Sequence, residues 1–216
     1  MLNKVCAVVP FRSFSNGKQR LSAAMSNESR SLFVEAMLED TLRALLRSTR
    51  LDRVIVLSND KEAAALAREL GAVCVAEPSG TAGLNAVVQA TANELSPFYD
   101  SLLVVHGDLP LLQTAEVDQL ITAHKELKQA PGLSIVPDRH GQGSNCVLVS
   151  PPNALRFHYG AGSLPKHLAF AKQHGILSQT VELTGAGLDI DVPDDLAALR
   201  AHEYLSLAVR VSAVLE

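Results

Sequence analysis

Acidic side chains follow apolar segments at two separate places in the sequence. Asp108 comes shortly after the apolar run 102–105, so a buried strand there would fix its carboxylate at the strand's carboxyl end. Asp189 and Asp191 alternate with apolar residues, and an extended chain would turn both carboxylates to one face. Such neighbours repel unless a cation or an arginine lies between them. Because Mg²⁺ prefers oxygen ligands, the three aspartates predict a magnesium site able to bridge triphosphate oxygens.

Each acid also has a simpler structural explanation. Asp108 could serve as a turn or N-cap aspartate. Asp191 or Asp194 could cap a helix that opens at Pro193, and for Asp194 capping is the preferred interpretation. Gly107, beside Asp108, would leave room for a ligand.

A basic loop with a central glycine leaves the first predicted strand over residues 10–21. The loop begins at Pro10 and could wrap around a triphosphate, whose charge Lys18, with Arg12 or Arg20, would neutralise. The loop has neither the Walker spacing nor the G-x-G-x-x-G fingerprint, and an ordinary surface loop remains the alternative.

A turn-rich stretch over residues 77–86 opens another predicted helix. Small residues there permit close approach of a ligand, so Glu77, Gly83 and Asn85 are candidates to contact a base edge or ribose. The alternative is an ordinary β–α loop.

Two glycine-rich polar loops follow, over residues 137–145 and 157–163. The second leads directly into a helix, whose free N–H groups and dipole favour a phosphate or carboxylate. We therefore predict that an acidic cosubstrate binds between them. The residues chosen for it are Ser144, Asn145, Gly160 and Ser163. His140 and His158 fit surface or core positions as well as ligand contacts.

Short β-branched runs alternate with segments of helical period, which predicts a Rossmann-like α/β fold with a mostly parallel central sheet flanked by helices. The predicted strands are 5–9, 54–57, 73–76, 102–105, 133–136, 146–149, 180–183 and 188–190. The predicted helices are 28–47, 61–70, 83–95, 114–127, 163–174 and 194–207. Leu32 is assigned to the apolar face of the first helix and Thr114 to the N-cap of the fourth. The later strands imply a small extra β element within a single domain, 1–216, and ligands should bind at the carboxyl ends of the strands.

The composition excludes several classes of protein. The 216 residues carry a net charge of −4 without a basic cluster, so we expect small-molecule partners and no nucleic acid. No signal-like segment and no run of 18 apolar residues is seen, so we expect a cytoplasmic protein without a membrane partner. The three widely spaced cysteines are expected to be small buried hydrophobes. The apolar segment 196–215 suggests a homodimer contact.

Taken together, these motifs resemble the 2-phospho-L-lactate guanylyltransferase family over roughly residues 4–200. The resemblance rests on the loop ending Gly17-Lys18-Gln19-Arg20-Leu21, on Gly83-Leu84-Asn85-Ala86, Gly107-Asp108-Leu109-Pro110, Pro137-Asp138-Arg139 with Gly143-Ser144-Asn145, Phe157 with Gly160-Ala161-Gly162-Ser163, and Leu188-Asp189-Ile190-Asp191.

The resemblance implies a nucleotidyltransferase that moves GMP from GTP to a phosphorylated three-carbon acid and releases pyrophosphate in deazaflavin coenzyme biosynthesis. Asp108, Asp189 and Asp191 would hold Mg²⁺, with Lys18 and Asp108 catalytic. Arg12 and Ser144 stand where lysine and threonine are usual. The acceptor is left open among 2-phospho-L-lactate, phosphoenolpyruvate and 3-phospho-D-glycerate, with phosphoenolpyruvate the least favoured.

Two rival functions remain. The first is a related nucleotidyltransferase with another acceptor, of the molybdenum-cofactor or sugar-phosphate type, although such enzymes usually carry a more glycine-rich loop after the first strand. The second is a nucleotide-binding regulatory protein without turnover, for which three converging acids are unnecessary.

Overall fold

A seven-stranded sheet organises the residues that the computed structural model describes, 4–15 and 17–201, with strand order β3-β2-β1-β4-β6-β5-β7. The strands are β1 Val5–Pro10, β2 Arg53–Leu57, β3 Val73–Val75, β4 Ser101–Val105, β5 Gly132–Pro137, β6 Ser144–Ser150 and β7 Leu177–Thr180. All neighbouring strands pair in parallel except β4 with β6 and β5 with β6. The predicted α/β fold with a mostly parallel sheet is confirmed.

Helices cover both faces of this sheet. They are α1 Asn27–Leu46, α2 Lys61–Leu70, α3 Leu84–Leu95, α4 Thr114–Glu126, α5 Ser163–Gln173 and α6 Pro193–Ala201. Side chains of α1, α2, α4 and α6 share one buried apolar cluster, and those of α3 and α5 share the other. A central strand therefore buries both of its faces, which explains why β4 lacks the polar alternation of a half-exposed strand.

The helix ends follow local chemistry. The Asp60 side chain caps α2 by accepting from the N–H groups of Glu62 and Ala63, and α2 ends at Gly71, whose φ of 95° suits glycine. The prediction that Thr114 caps α4 is wrong. Gln113 is the N-cap, its N–H donates to the Glu116 side chain, and the Thr114 hydroxyl donates to a carbonyl of α1 instead.

Three further assignments are corrected. Leu32 is 51% exposed, whereas its neighbour Phe33 fills the core; the rest of the predicted apolar face of α1 is buried as expected. Strand β7 occupies residues 177–180 rather than 180–183, where it pairs in parallel with β5. Residues 188–190 form no strand: Leu188 and Ile190 bury their side chains, but their backbone joins no sheet. The extra β element is thus an extension of the one sheet.

Several expectations concern the chain as a whole. Within the described part, no helix combines the length and the apolar character needed to cross a bilayer. Cys6 and Cys146 are buried free thiols, as expected, and Cys74 is half-buried. Most of the segment proposed for dimer contact, from residue 202 onward, lies outside the described residues. The single domain and the homodimer therefore stay predictions.

A buried histidine links α4 to the antiparallel part of the sheet. The two ring nitrogens of His124 lie 2.8 Å from Ser134 Oγ and 2.7 Å from Ser150 Oγ. Burial lowers the pKa of His124 to about 4. The folded protein therefore keeps this ring neutral well below the pH at which the unfolded chain protonates it.

We predict that His124 makes the fold acid-sensitive. The unfolded chain takes up a proton near pH 6.5, whereas the folded chain resists it until about pH 4. Stability is therefore complete above pH 6.5 and declines toward pH 4. In urea titrations, His124→Gln should lose about 2 kcal/mol less than the wild type between pH 7.5 and 5. His174→Gln, at an exposed position, should follow the wild type. Parallel pH dependence of His124→Gln and wild type would contradict the assignment.

Candidate active site

Loops from both halves of the chain converge where β1 and β4 end. The backbone N–H of His106, just beyond β4, donates to the carbonyl of Asn145 at 3.1 Å. Because β6 runs antiparallel to β4, its first residues lie at the carboxyl end of β4. The loop after β1, the loop after β4 and the start of β6 therefore meet at one edge of the sheet, as predicted.

Lys18 joins two of the predicted aspartates. Its ammonium forms ion pairs with the carboxylates of Asp108 and Asp191. Burial alone would lower the pKa of Lys18, but the two carboxylates outweigh it and raise that pKa. For the acid Asp108 burial acts in the opposite direction and would raise the pKa, but the charges of Lys18 and His106 hold that pKa below its usual value. Lys18 is also in the left-handed backbone region (φ 51°), an uncommon conformation that directs its side chain inward.

Asp189 completes the acidic group without contacting Lys18. Asn145 Nδ2 donates to Asp189 Oδ1 at 3.2 Å and to the carbonyl of Ala186 at 3.1 Å. Burial, followed by the charge of Asp108, raises the pKa of Asp189. The three aspartates thus share one electrostatic environment with a single ammonium among them.

The residues fit a hard cation, although they do not form a ready coordination site. No group of three or more His, Cys, Asp or Glu side chains within residues 4–15 and 17–201 is placed to hold a metal ion. However, the buried Oδ1 of Asp108 has no hydrogen-bond partner among these residues, and a buried anionic oxygen is costly to leave unpaired. Carboxylate oxygens are also what Mg²⁺ prefers. The magnesium site stays a prediction.

An unpredicted ion pair positions the segment 189–192. Asp195 pairs with Arg139, and its other oxygen accepts from the N–H groups of Asp191 and Val192 at 2.7 and 2.8 Å. Asp195 lies inside α6 and reaches back to the N–H groups that precede Pro193, whereas the carboxylate of Asp191 pairs with Lys18 and Asp194 lies within the helix. The place of Asp195 three residues into a helix that opens at Pro193 was the signal available in the sequence.

The cleft beside the basic loop, where the sequence predicts that a nucleotide binds, has a volume of about 160 Å³. It is lined by residues 10–13, Gly17, Lys18, Val34, Leu84 and residues 106–108. Of the predicted nucleotide contacts, Pro10, Arg12 and Lys18 line it, whereas Glu77, Gly83 and Asn85 do not. Gly107 has a packing reason, since a Cβ there would lie 3.1 Å from Leu38 Cδ1. A larger cavity of about 390 Å³ is lined by residues 137–139 of the first glycine-rich loop and by residues 182–184, but by none of the individual residues chosen as site candidates.

The Asn85 side chain is hydrogen-bonded to the second glycine-rich loop, residues 157–163. Its amide nitrogen donates to the carbonyl of Tyr159 at 3.1 Å, and its oxygen accepts from the Tyr159 N–H at 2.6 Å. Both bonds fix the loop ahead of Gly160, so the side chain expected to read a base or ribose here links α3 to the second glycine-rich loop.

The four residues predicted to bind the acidic cosubstrate lie around the start of β6 and of α5. Ser144, Asn145 and Ser163 are buried, and Gly160 is exposed in the loop before α5. Ser144 Oγ lies 3.1 Å from Nδ1 of His167, a residue that our sequence interpretation did not select. His167 comes four residues after Ser163 and therefore shares its helix face, which was the usable signal. His140 is exposed and His158 half-buried.

Two more polar side chains were missed. The buried atoms His106 Nε2 and Tyr159 Oη have no hydrogen-bond partner among the described residues, and the two rings lie 5.2 Å apart. With Asp108 Oδ1, they place three unsatisfied polar atoms near the meeting point of the loops. Native proteins rarely leave such atoms unpaired, so a ligand group is expected there.

Comparison with known proteins agrees with this geometry. Residues 5–206 match the model of the family described as guanylyl transferase CofC like. The chain is 34% identical to the phosphoenolpyruvate guanylyltransferase of Conexibacter woesei, covering 90% of this chain and 86% of that one. It is 28% identical to the 2-phospho-L-lactate guanylyltransferase of Methanothermobacter thermautotrophicus, covering 92% and 85%.

Solved structures share the fold at low sequence identity. A protein from Desulfovibrio desulfuricans G20, named as a candidate nucleotide-diphospho-sugar transferase, superposes with a TM-score of 0.73 at 15% identity, covering 100% of this chain and 97% of that one. A nucleotidyl transferase from Methanothermobacter thermautotrophicus has a TM-score of 0.64 at 16% identity, covering 93% and 97%. At these identities the likeness shows the nucleotidyltransferase-type fold.

We predict that the Lys18 ammonium stabilises the fold by compensating Asp108. In magnesium-free urea titrations, Lys18→Met should cost about 2 kcal/mol, because it leaves the largely buried carboxylate of Asp108 without its ammonium. Lys18→Met combined with Asp108→Asn should cost less than Lys18→Met alone. Arg43→Met, which breaks the more exposed pair with Glu39, should cost under about 0.5 kcal/mol. A Lys18→Met protein as stable as the wild type would refute this role.

Proposed function

The chain belongs to the CofC-like guanylyl transferase family, and on this premise we propose that it transfers GMP from GTP to a phosphorylated three-carbon acid, releasing pyrophosphate, in deazaflavin coenzyme biosynthesis. The observation that carries the proposal is the cluster of Lys18 with Asp108 and Asp191 between the basic loop and the glycine-rich loops. Such a cluster suits a reaction in which phosphoryl charge must be gathered and redistributed.

The names of the relatives bear on the choice of acceptor. Relatives from Conexibacter woesei and Sphaerobacter thermophilus, at 34% and 35% identity, are named for phosphoenolpyruvate. The archaeal relative at 28% identity is named for 2-phospho-L-lactate. Although the sequence motifs left phosphoenolpyruvate least favoured, these names make it the first acceptor to test.

The proposed reaction is a displacement at the α-phosphorus of GTP. An ionised phosphate oxygen of the acceptor forms the new P–O bond, and the bond from the α-phosphorus to the bridging oxygen of the β-phosphate breaks. The electron pair leaves with pyrophosphate. The acceptor oxygen is already ionised at neutral pH, so the protein supplies alignment and charge neutralisation, with no general base. Lys18 would neutralise charge on the departing pyrophosphate.

Asp108, Asp189 and Asp191 are the residues we propose for Mg²⁺. When bound, the ion would supply positive charge to the acceptor phosphate and to the α-phosphate of GTP. The unpartnered Oδ1 of Asp108 supports the proposal, because a cation would satisfy it. Burial, followed by the charge of Asp108, raises the pKa of Asp189, and a bound cation would oppose both effects.

The two substrates would approach from opposite sides of this cluster. We assign GTP to the cleft of the basic loop, where Pro10, Arg12 and Lys18 line the wall. Glu77, Gly83 and Asn85, which lie outside that lining, stay predicted contacts. We assign the acceptor's carboxylate to Ser144, Asn145, Gly160 and Ser163. Its phosphate would then face the three aspartates and their cation.

We predict that a pyrophosphate-release screen will select GTP. The wild type should turn over GTP with at least one of phosphoenolpyruvate, 2-phospho-L-lactate and 3-phospho-D-glycerate. ATP and CTP should be at least about tenfold slower, since base discrimination rests on one or two hydrogen bonds. Equal rates with ATP would sink the guanine assignment, and preference for CTP would favour a sugar-phosphate-type enzyme.

We predict that each of the three aspartates is needed for turnover. Asp108→Asn, Asp189→Asn and Asp191→Asn should each lower turnover by roughly 10² or more, the scale of one lost preorganised electrostatic contact. Folding, checked by circular dichroism, should survive. Asp194→Asn is the matched control, because this exposed residue starts α6 beside the cluster. If Asp189→Asn and Asp191→Asn kept wild-type turnover at saturating Mg²⁺, the metal assignment would be wrong.

A further inference from the structure

A chain of two hydrogen bonds connects the acceptor loop, α5 and the start of β6. The backbone N–H of His158 donates to Nε2 of His167 at 2.8 Å. On the other side of the ring, Nδ1 of His167 lies 3.1 Å from Ser144 Oγ. His167 is fully buried and Ser144 is 2% exposed, so bulk water does not compete for either bond. The register irregularity between β5 and β6 falls next to Ser144, where the regular face alternation of the strand is interrupted.

The direction of both bonds follows from one obligatory donor. A backbone N–H can only donate, so Nε2 of His167 must accept and cannot carry a proton. This excludes the imidazolium, in which both nitrogens are donors, and leaves the neutral ring with its proton on Nδ1. That N–H therefore donates to Ser144 Oγ. The hydrogen of the Ser144 hydroxyl remains unused, because Ser144 Oγ has no second partner among the described residues.

The surroundings keep His167 neutral. The ring lies 5.2 Å from Tyr159 and 6.4 Å from Phe157, in edge-on contact with both. Burial lowers the pKa of His167 to about 4, with the neighbouring His158 and His106 acting in the same direction. The donor direction toward Ser144 is thus preserved across the neutral pH range.

Two buried polar atoms beside these hydrogen bonds have no partner in the described part of the molecule. Tyr159, whose ring contacts His167, is 8% exposed, and its buried hydroxyl has no partner in the described part of the molecule. The buried Nε2 of His106, next to Tyr159, is likewise unpartnered. An anionic group would satisfy hydroxyl donors such as those of Tyr159 and Ser144.

We propose that His167 is a positioning residue that holds the Ser144 hydroxyl as a hydrogen-bond donor to the carboxylate of the phospho-acid acceptor. The proposal rests on the proposed function, because it names the group that prepares the acceptor side of that same site. His167 itself need not touch the acceptor. Its effect should appear as acceptor affinity, with little effect on GTP.

Two amide variants separate the two bonds of the ring. Asn places its amide nitrogen near the position of the histidine Nδ1, so His167→Asn can still donate to Ser144 while it loses the bond to His158. Gln places its amide oxygen near Nε2, so His167→Gln can still accept from His158 while it loses the bond to Ser144. Ser144→Ala removes the hydroxyl itself. His174→Gln, at an exposed position on the turn after α5, is the control.

Steady-state kinetics with GTP and the best acceptor of the three phospho-acids provide the test. His167→Gln and Ser144→Ala should each raise the acceptor KM about 10- to 100-fold, the range for a lost hydrogen bond to a charged group. The GTP KM should stay within about threefold. His167→Asn should retain an acceptor KM within about threefold of the wild type. In the double variant His167→Gln/Ser144→Ala the effects should not add, since both remove one interaction.

Several outcomes would overturn the proposal. Equal acceptor KM for His167→Asn and His167→Gln would indicate a merely structural ring, as would losses confined to kcat or to the GTP KM. An NMR spectrum of ¹⁵N-histidine-labelled wild type needs no variant to fold: it should show His167 with a protonated Nδ1 and a bare Nε2, and the opposite tautomer would refute the relay. A folded wild type with no turnover on any acceptor contradicts the proposed function instead, whereas the tautomer is read independently of activity.

Discussion

The pairing of the Lys18 ammonium with two of three neighbouring aspartates is the constraint around which this site is built. Asp108, Asp189 and Asp191 gather at the edge of the sheet, and like charges there are tolerated only if positive charge is brought to them. Lys18 supplies it from an uncommon backbone conformation. The pair Arg139–Asp195 fixes the segment that carries Asp191. The left-handed backbone of Lys18 is a conformation that non-glycine residues adopt at a cost in stability, as expected of a residue held in place for a functional site.

The sequence was sufficient where periodicity and local chemistry agree. Helix α2 was predicted at its exact bounds, because an aspartate cap and a glycine stop frame a regular apolar face. Prediction from the sequence failed where a segment buries its side chains without pairing its backbone with a strand. Residues 188–190 alternate like a strand and bury the apolar side chains of Leu188 and Ile190, but their backbone pairs with no strand of the sheet. Alternation reports burial of side chains, and only the tertiary fold decides whether the backbone finds a partner.

The site residues, too, were predictable only where the signal was local. Residue type and local pattern were enough to nominate Asp108 at a strand end, Lys18 in a basic loop and Ser144 in a glycine-rich loop, since these properties are local. The residues that contact or position these three were not predicted from the sequence. His167, Asp195 and Tyr159 matter through contacts across long stretches of chain, and a lone buried histidine or tyrosine looks the same in sequence whether it packs or positions. Only the unpartnered atoms and the direction of the hydrogen bonds distinguish the two cases.

The chemistry proposed for the site explains why its buried histidine should be neutral. If the attacking oxygen arrives already ionised, a proton acceptor at the site adds nothing to the reaction, whereas a charge that varied with pH would disturb the balance among Lys18 and the aspartates. A histidine that accepts from a backbone N–H cannot become cationic without breaking that bond. His167 can therefore orient a hydroxyl without adding a titrating charge. In this arrangement the acceptor side relies on hydrogen bonds of fixed direction, whereas the aspartates rely on positive charge brought by Lys18 and by a ligand. Different elements of the fold carry these two kinds of interaction.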